Sequence, residues 1–228
     1  MWWGMAKREF RPDRIPSPKS GVMFPSERGH SVDLEIGCGV GYHPIQWAKA
    51  HPTRTLVAIE QTKTRFGSFQ RRLDNHPGIT NVLAVHDDAV SWITHRVPPL
   101  SIQHCFLLYP NPYPKHAQRN KRWHQMPFME FLLSRIQPGG DLTIATNERF
   151  YCDEAMGSMG ELWGWSHCQL NSCRDLFHHH PRTHFERKYL SRGEDCFNMV
   201  FKNPQGENRD GGDFRSSSGA QAKARTQE

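Results

Sequence analysis

The sequence predicts a doubly wound α/β fold built on a mostly parallel sheet, and three observations predict it. Short apolar runs alternate with longer amphipathic ones, the first run empties into three alternate glycines, and the first three runs each end in an acidic side chain. Strands are expected at 32–36, 55–59, 81–85, 102–108 and 142–145, with helices filling 41–50, 62–75, 88–95, 123–136 and 148–162. Beyond Trp165 apolar runs recur without a clear helical period, Met199 to Phe201 above all, so the sheet is expected to finish with antiparallel strands. Ligands of such sheets bind beyond the carboxyl ends of the strands, which makes the residues after each strand the ones to weigh.

Residues 1–31 precede the first strand as a Pro/Arg-rich basic arm, with six Lys/Arg against three Asp/Glu and no helical or strand period. The domain itself is expected over 32–202, and the Gly/Ser/Gln-rich stretch 203–228 reads as a disordered tail. The net charge of +6 is unevenly spread: residues 110–129 hold Lys115, Arg119, Lys121 and Arg122 against no acid, whereas 130–173 hold two bases and six acids. A concentrated positive surface attracts phosphate backbones through counterion release. No run approaches the ~18 apolar residues of a membrane span, and the amino terminus lacks the apolar core of a signal peptide. The six cysteines contain no CxxC pair, so buried thiols in the cytoplasm are expected rather than a disulfide framework.

The first strand runs into Glu35-Ile36-Gly37-Cys38-Gly39-Val40-Gly41, glycines that allow a tight turn and close backbone approach to a ligand at a helix amino terminus. A dinucleotide fingerprint would need glycine where Tyr42 stands, which counts against a nicotinamide cofactor. Glu35 suits an amine-bearing ligand instead. The second strand ends in Glu60, an acceptor-only side chain fit to take two ribose hydroxyls, or a helix-terminal charge. The third ends in His86-Asp87-Asp88-Ala89, where an acid accepts from an adenine amine or caps the next helix. The fourth delivers Tyr109-Pro110-Asn111-Pro112-Tyr113-Pro114-Lys115, whose alternate prolines are expected to stiffen the loop into an extended path presenting Asn111, Tyr113 and Lys115.

Together the glycine turn and the three strand-end acids resemble the S-adenosylmethionine site of class I methyltransferases. The loop after the fourth strand resembles the PDPWPK signature of tRNA (guanine-N7) methyltransferases, followed as in that family by a basic segment, here Arg119-Asn120-Lys121-Arg122. Ala145-Thr146-Asn147 through Tyr151 is similar to the family's ATD element with its downstream Tyr, and Thr183-His184-Phe185-Glu186-Arg187 to its TKFE element. The resemblance covers roughly residues 32–202 and implies a Rossmann-like, seven-stranded class I methyltransferase that transfers methyl from S-adenosylmethionine to guanine N7 of tRNA. It implies cofactor contacts from Glu35, Gly37, Gly39, Glu60, Asp87, Asp88 and Ala89, with Asn111 at the catalytic position shared between cofactor and base. It implies substrate contacts from Lys115, Asn147, Thr183 and Glu186, and RNA contact along Ala117 to Arg122, including Arg119, Lys121 and Arg122.

The chain departs from the family pattern at Asn111 and Asn147, where the family has Asp, and at Tyr113, where it has Trp. Asn accepts through its carbonyl but supplies no full charge to a methylated base, so a small nitrogen heterocycle is a second candidate acceptor. An RNA-binding protein without catalysis is a third reading. The tract His178-His179-His180 does not match a zinc site, because consecutive histidines cannot all face one ion in regular structure. Trp163 and Trp165, at a helix end, are expected in the core rather than against a base. A monomer or homodimer is expected.

Overall fold

In the computed structural model the described residues are 8–25, 31–165, 167–174 and 180–204. Seven strands form one sheet: β1 Val32–Ile36, β2 Thr55–Ile59, β3 Val82–Val85, β4 Ile102–Leu108, β5 Ile136–Thr146, β6 His167–Cys173 and β7 Cys196–Lys202. Their order is β3-β2-β1-β4-β5-β7-β6, with β1 to β5 parallel and β7 antiparallel to both neighbours, the antiparallel finish expected from the carboxyl-terminal apolar runs. The chain winds outward from β1 in one direction and then from β4 in the other, and the reversal leaves a crevice beyond the carboxyl ends of β1 and β4.

Helices cover both faces: α1 Tyr42–Ala50, α2 Lys63–Asp74, α3 Ala89–Arg96, α4 Phe128–Leu133, α5 Arg149–Glu161 and α6 His184–Leu190. Strand side chains alternate between the faces. Leu56 and Ala58 of β2 accordingly join Trp47 of α1 and Phe69 of α2 in one core, while Val57 and Ile59 join Trp92 of α3, Met129 of α4 and Tyr151 of α5 in the larger one. Trp165 is buried, and Trp163 donates its indole N–H to the His124 carbonyl at 2.9 Å, so both belong to the packing.

Four expectations change. The helix expected over 123–136 is broken into a 3-10 turn at Trp123–Gln125 and the short α4, since Pro127 holds Met126 in extended backbone (ψ 140°). The strand expected at 142–145 begins six residues earlier, at Ile136, and carries Gly139 at φ +77°. The basic arm is docked over its described part: Phe10 meets Phe128 and Phe131 at 5.3 and 5.1 Å, Phe24 meets Trp92, and Ser91 Oγ and the Trp92 indole N–H donate to the carbonyls of Pro16 and Val22. Asn203, expected in the tail, is buried and donates to the Ile136 carbonyl at 2.8 Å. Residues 205–228, with Trp2, Trp3, His178 and His179, lie outside the described residues. Among the described residues no helix is long and apolar enough to cross a membrane.

One buried histidine gives a pH prediction. Burial, then the charges of Arg122 and Arg119, push the His124 imidazole down to about 3 from its usual 6.5. The unfolded chain binds a proton near 6.5 that the folded chain refuses, so this contribution is complete above pH 6.5 and is lost as pH falls towards 3, with a full size on the order of a few kcal/mol. Asp33 acts oppositely: burial outweighs His104 and Arg54 and lifts its carboxyl from 3.8 to about 6, so its contribution is present below 3.8 and lost as pH rises through 6. His124→Gln is expected to flatten the fall in Tm below pH 6.5 relative to the parent; identical slopes would contradict the buried neutral imidazole.

Candidate active site

The glycine turn is built from left-handed backbone, with Gly37, Gly39 and Gly41 at φ +73°, +62° and +75°. It is pinned to β2: the N–H groups of Gly37 and Cys38 donate to the Ile59 carbonyl at 2.8 and 3.0 Å. Gly39 N–H donates to Glu60 Oε2 at 2.9 Å and Thr62 N–H to Oε1 at 2.7 Å, which fixes the Glu60 carboxylate while leaving it further acceptor capacity. A Cβ on Gly37 or Gly39 would meet no atom within 4 Å, whereas one on Gly41 would strike the Phe69 ring. The turn therefore rests on α2 through Gly41 and has open space at Gly37 and Gly39.

Glu35, at the end of β1, is 2% exposed and pairs with His43 of α1 at 2.8 Å. A carboxylate only accepts, so His43 Nδ1 donates. Sequence reasoning assigned no role to His43; the signal was a histidine in the first turn of the helix following the strand that ends in Glu35. Asp87 has both oxygens engaged, Oδ2 by the Ser20 N–H at 2.7 Å and Oδ1 by the Asp88 N–H at 2.8 Å. It latches the arm to β3. Asp88 caps α3, whose first residue is Ala89, by accepting the Ser91 N–H on Oδ1 at 2.9 Å, which uses one of its two oxygens.

The loop after β4 is not extended throughout. Of the three described non-glycine residues with positive φ, two are Tyr109 (+53°) and Tyr113 (+46°), each just before a proline. Such conformations cost roughly 1–3 kcal/mol each and persist only where the surroundings hold them. Tyr109 N–H donates to the Ala145 carbonyl at 2.8 Å, and its hydroxyl to Glu186 Oε1 at 2.9 Å. The exposed Asn111 turns its Oδ1 back to the Tyr113 N–H at 3.2 Å. Lys115 and Lys121 are exposed and Arg119 is half-buried along the 3-10 turn His116–Lys121, with Lys121 Nζ 5.8 Å from the Tyr113 ring.

Arg122 contradicts its expected part in RNA contact. It is 3% exposed, donates from Nε and Nη2 to the Tyr113 carbonyl at 3.2 and 2.9 Å, and pairs with Glu154 of α5. Its charge holds the loop instead of meeting a phosphate. Tyr151, from the same stretch of α5, is fully buried against His124.

Thr183 caps α6, its Oγ1 accepting the Glu186 N–H at 3.0 Å. Glu186 is 1% exposed and ties α6 to the end of β4 through Tyr109, while Arg182 neutralises it at 3.1 Å. Burial alone would raise the Glu186 carboxyl; the Arg182 charge and hydrogen bonds, with the Tyr109 hydroxyl, outweigh burial and leave it lowered. Burial and the Glu186 charge raise the Tyr109 phenol, so Tyr109 stays a donor. Asn147, just past β5, donates from Nδ2 to Glu194 Oε2 at 3.0 Å. Glu60, the glycine turn, Tyr109, Asn147 and Glu186 thus gather at one end of the sheet.

The sheet order and the crevice define the class: this is the Rossmann-like fold of class I S-adenosylmethionine-dependent methyltransferases. The crystal structure of the 16S rRNA methyltransferase KamB shares that fold, with a TM-score of 0.55 at 20% identity, over 76% of this chain and 88% of that one. A family model described as "Putative methyltransferase" matches residues 30–199. The tRNA (guanine-N(7)-)-methyltransferase of Acidithiobacillus ferrooxidans is 31% identical over 200 residues, 86% of each chain. That of Nitrosospira multiformis is 28% identical over 175 residues, 76% of this chain and 75% of its own. The chain belongs to the tRNA (guanine-N7)-methyltransferase family.

Proposed function

We propose that this chain is a cytoplasmic enzyme that methylates guanine N7 of tRNA with S-adenosylmethionine. The observation that carries the reading is the Tyr109–Glu186 bond, which joins the loop after β4 to α6, while the Tyr109 N–H joins the same loop to the end of β5 at Ala145, so that three of the family-like segments meet.

The residues fit the cofactor. Left-handed glycines with open space at Gly37 and Gly39 form a cradle, and the anchored Glu60 carboxylate offers acceptors to two ribose hydroxyls. Asp88 and Ala89 would border the adenine, and Glu35, held by His43, the methionine amine. S-adenosylmethionine, when bound, supplies an electrophilic methyl group.

Guanine N7 carries its own lone pair, so no base is needed to remove a proton; the chain's task is alignment and accommodation of the charge that reaches the ring. Asn111, in the loop that Tyr109, Tyr113 and Arg122 hold in shape, would position the base, with Thr183 and Glu186 bracing the opposite wall. Lys115, Arg119 and Lys121 would meet phosphates of the RNA.

Incubation with labelled S-adenosylmethionine and tRNA, followed by chemical cleavage at N7-methylguanine, tests this reading. Label and cleavage at one guanine are expected. Label in a metabolite extract instead of tRNA would favour the small heterocycle that the neutral Asn111 and Asn147 suggest. RNA binding without calorimetrically detectable S-adenosylmethionine would favour a non-catalytic scaffold.

A further inference from the structure

Methylation of guanine N7 joins the nitrogen lone pair to the methyl carbon as the methyl–sulfur bond breaks, its electron pair staying on sulfur. No proton leaves, so the positive charge passes from sulfur to the purine ring. A pocket that favours this change needs a negative charge facing the ring.

The acceptor end of the crevice offers little of it where the sequence first suggested. Asn111 and Asn147 are neutral. Glu186 is buried and already matched by the Arg182 guanidinium and backbone N–H and by the Tyr109 hydroxyl. Glu194 differs. Its side chain is 36% exposed, and its nearest cation, Arg192, stands 3.8 Å away with 55% of its own side chain in solvent. Charge compensation at that distance and exposure is weak. Asn147 donates to Glu194 Oε2 at 3.0 Å, and the acceptor-only chemistry of the carboxylate fixes which way the amide points. Glu194 N–H also donates to the Tyr189 carbonyl at 3.1 Å, so backbone and side chain are both anchored in the turn just before β7. The Tyr189 phenol is raised by burial first and then by Glu194 and Glu148, with Arg192 opposing, consistent with a negative local potential.

We propose that Glu194, oriented by Asn147, is the carboxylate that faces the accepting base and offsets the positive charge formed on it. The assignment rests on the guanine-N7 reading and deepens it: the specificity of the pocket for a base that becomes a cation resides in an Asn–Glu pair, 47 residues apart in sequence.

The test is a charge swap in the full chain. Glu194→Gln is expected to lower kcat for tRNA roughly tenfold to a hundredfold, the scale of one lost electrostatic contact, with KM for tRNA and affinity for S-adenosylmethionine little changed. Asn147→Asp sets two carboxylates against each other and is expected to fall likewise. The double variant Asn147→Asp/Glu194→Gln keeps one carboxylate and one amide in contact and is expected to recover most of the kcat. A binding readout accompanies these rates: the parent is expected to hold 7-methylguanosine monophosphate more tightly than guanosine monophosphate, and Glu194→Gln to lose that preference. Unchanged kcat and unchanged nucleotide preference in Glu194→Gln would overturn the assignment while leaving guanine-N7 methylation intact. So would a double variant no better than Asn147→Asp. A parent that methylates no guanine N7 would remove the function reading, and this assignment with it.

Discussion

Arg122→Met is expected to lower stability by about 3 kcal/mol and to remove most of the methyl transfer, because it withdraws a buried charge from both of its partners. Its guanidinium meets the Tyr113 carbonyl twice, pairs with Glu154 and lies 5.0 Å over the Phe150 ring. Methionine fills similar volume but leaves that carbonyl and the carboxylate facing a thioether. The strained Tyr113 then loses what holds it at φ +46°, and Asn111, whose Oδ1 accepts the Tyr113 N–H, moves with it. Thermal unfolding and kcat should therefore fall together, while S-adenosylmethionine affinity, which the proposed site draws from the ends of β1 and β2, should change little. Arg122→Lys is expected to fall between, since an ammonium keeps the charge but not the planar fork. Methyl transfer at the parental rate in Arg122→Met would refute the clamp.

Gly41→Ala and Gly39→Ala are expected to fail in opposite ways. At Gly41 a Cβ would lie 1.9 Å from Phe69 Cδ2, on a ring with no solvent exposure, and the backbone sits at φ +75°. Left-handed strain and displacement of a packed ring together cost about 2–5 kcal/mol, so Gly41→Ala should be visible in thermal unfolding without any ligand. At Gly39 the Cβ meets nothing within 4 Å, leaving only the strain of φ +62°, about 1–2 kcal/mol. If that open space is where the proposed cofactor lies, Gly39→Ala should keep most of its stability and lose S-adenosylmethionine binding by calorimetry. A Gly39→Ala protein that binds the cofactor normally would show that the ligand does not approach this turn.

The residues proposed for the cofactor could be picked out from the sequence because they are local. A strand, a glycine turn and a helix start follow one another within 32–50, and Glu60 and Asp88 sit where their own strands end. The N-cap of α3 could likewise be read at Asp88, since a cap bonds within its own first turn. The residues proposed for the acceptor could be read only as residue types. Arg122 and Lys121 are neighbours in one basic run, yet one is buried as a clamp and the other is exposed; the difference is made by Glu154, 32 residues away. Thr183 and Glu186 have the spacing of a capping box, and the Thr183 hydroxyl does accept from Glu186. The Glu186 carboxylate, however, reaches Tyr109 on another element.

The sequence by itself determined the doubly wound sheet and the family, because period, turn chemistry and motif order are properties of contiguous residues. Only the tertiary structure decided which charges meet: the Pro/Arg-rich arm latched by Asp87 to β3, Arg122 turned inward, Glu186 spent on Tyr109 and Arg182, and Glu194 held by Asn147. Those pairings join segments up to 77 residues apart. No local pattern encodes the long-range ones, because the Asp87, Tyr109–Glu186 and Asn147–Glu194 contacts depend on packing that brings together segments distant in sequence.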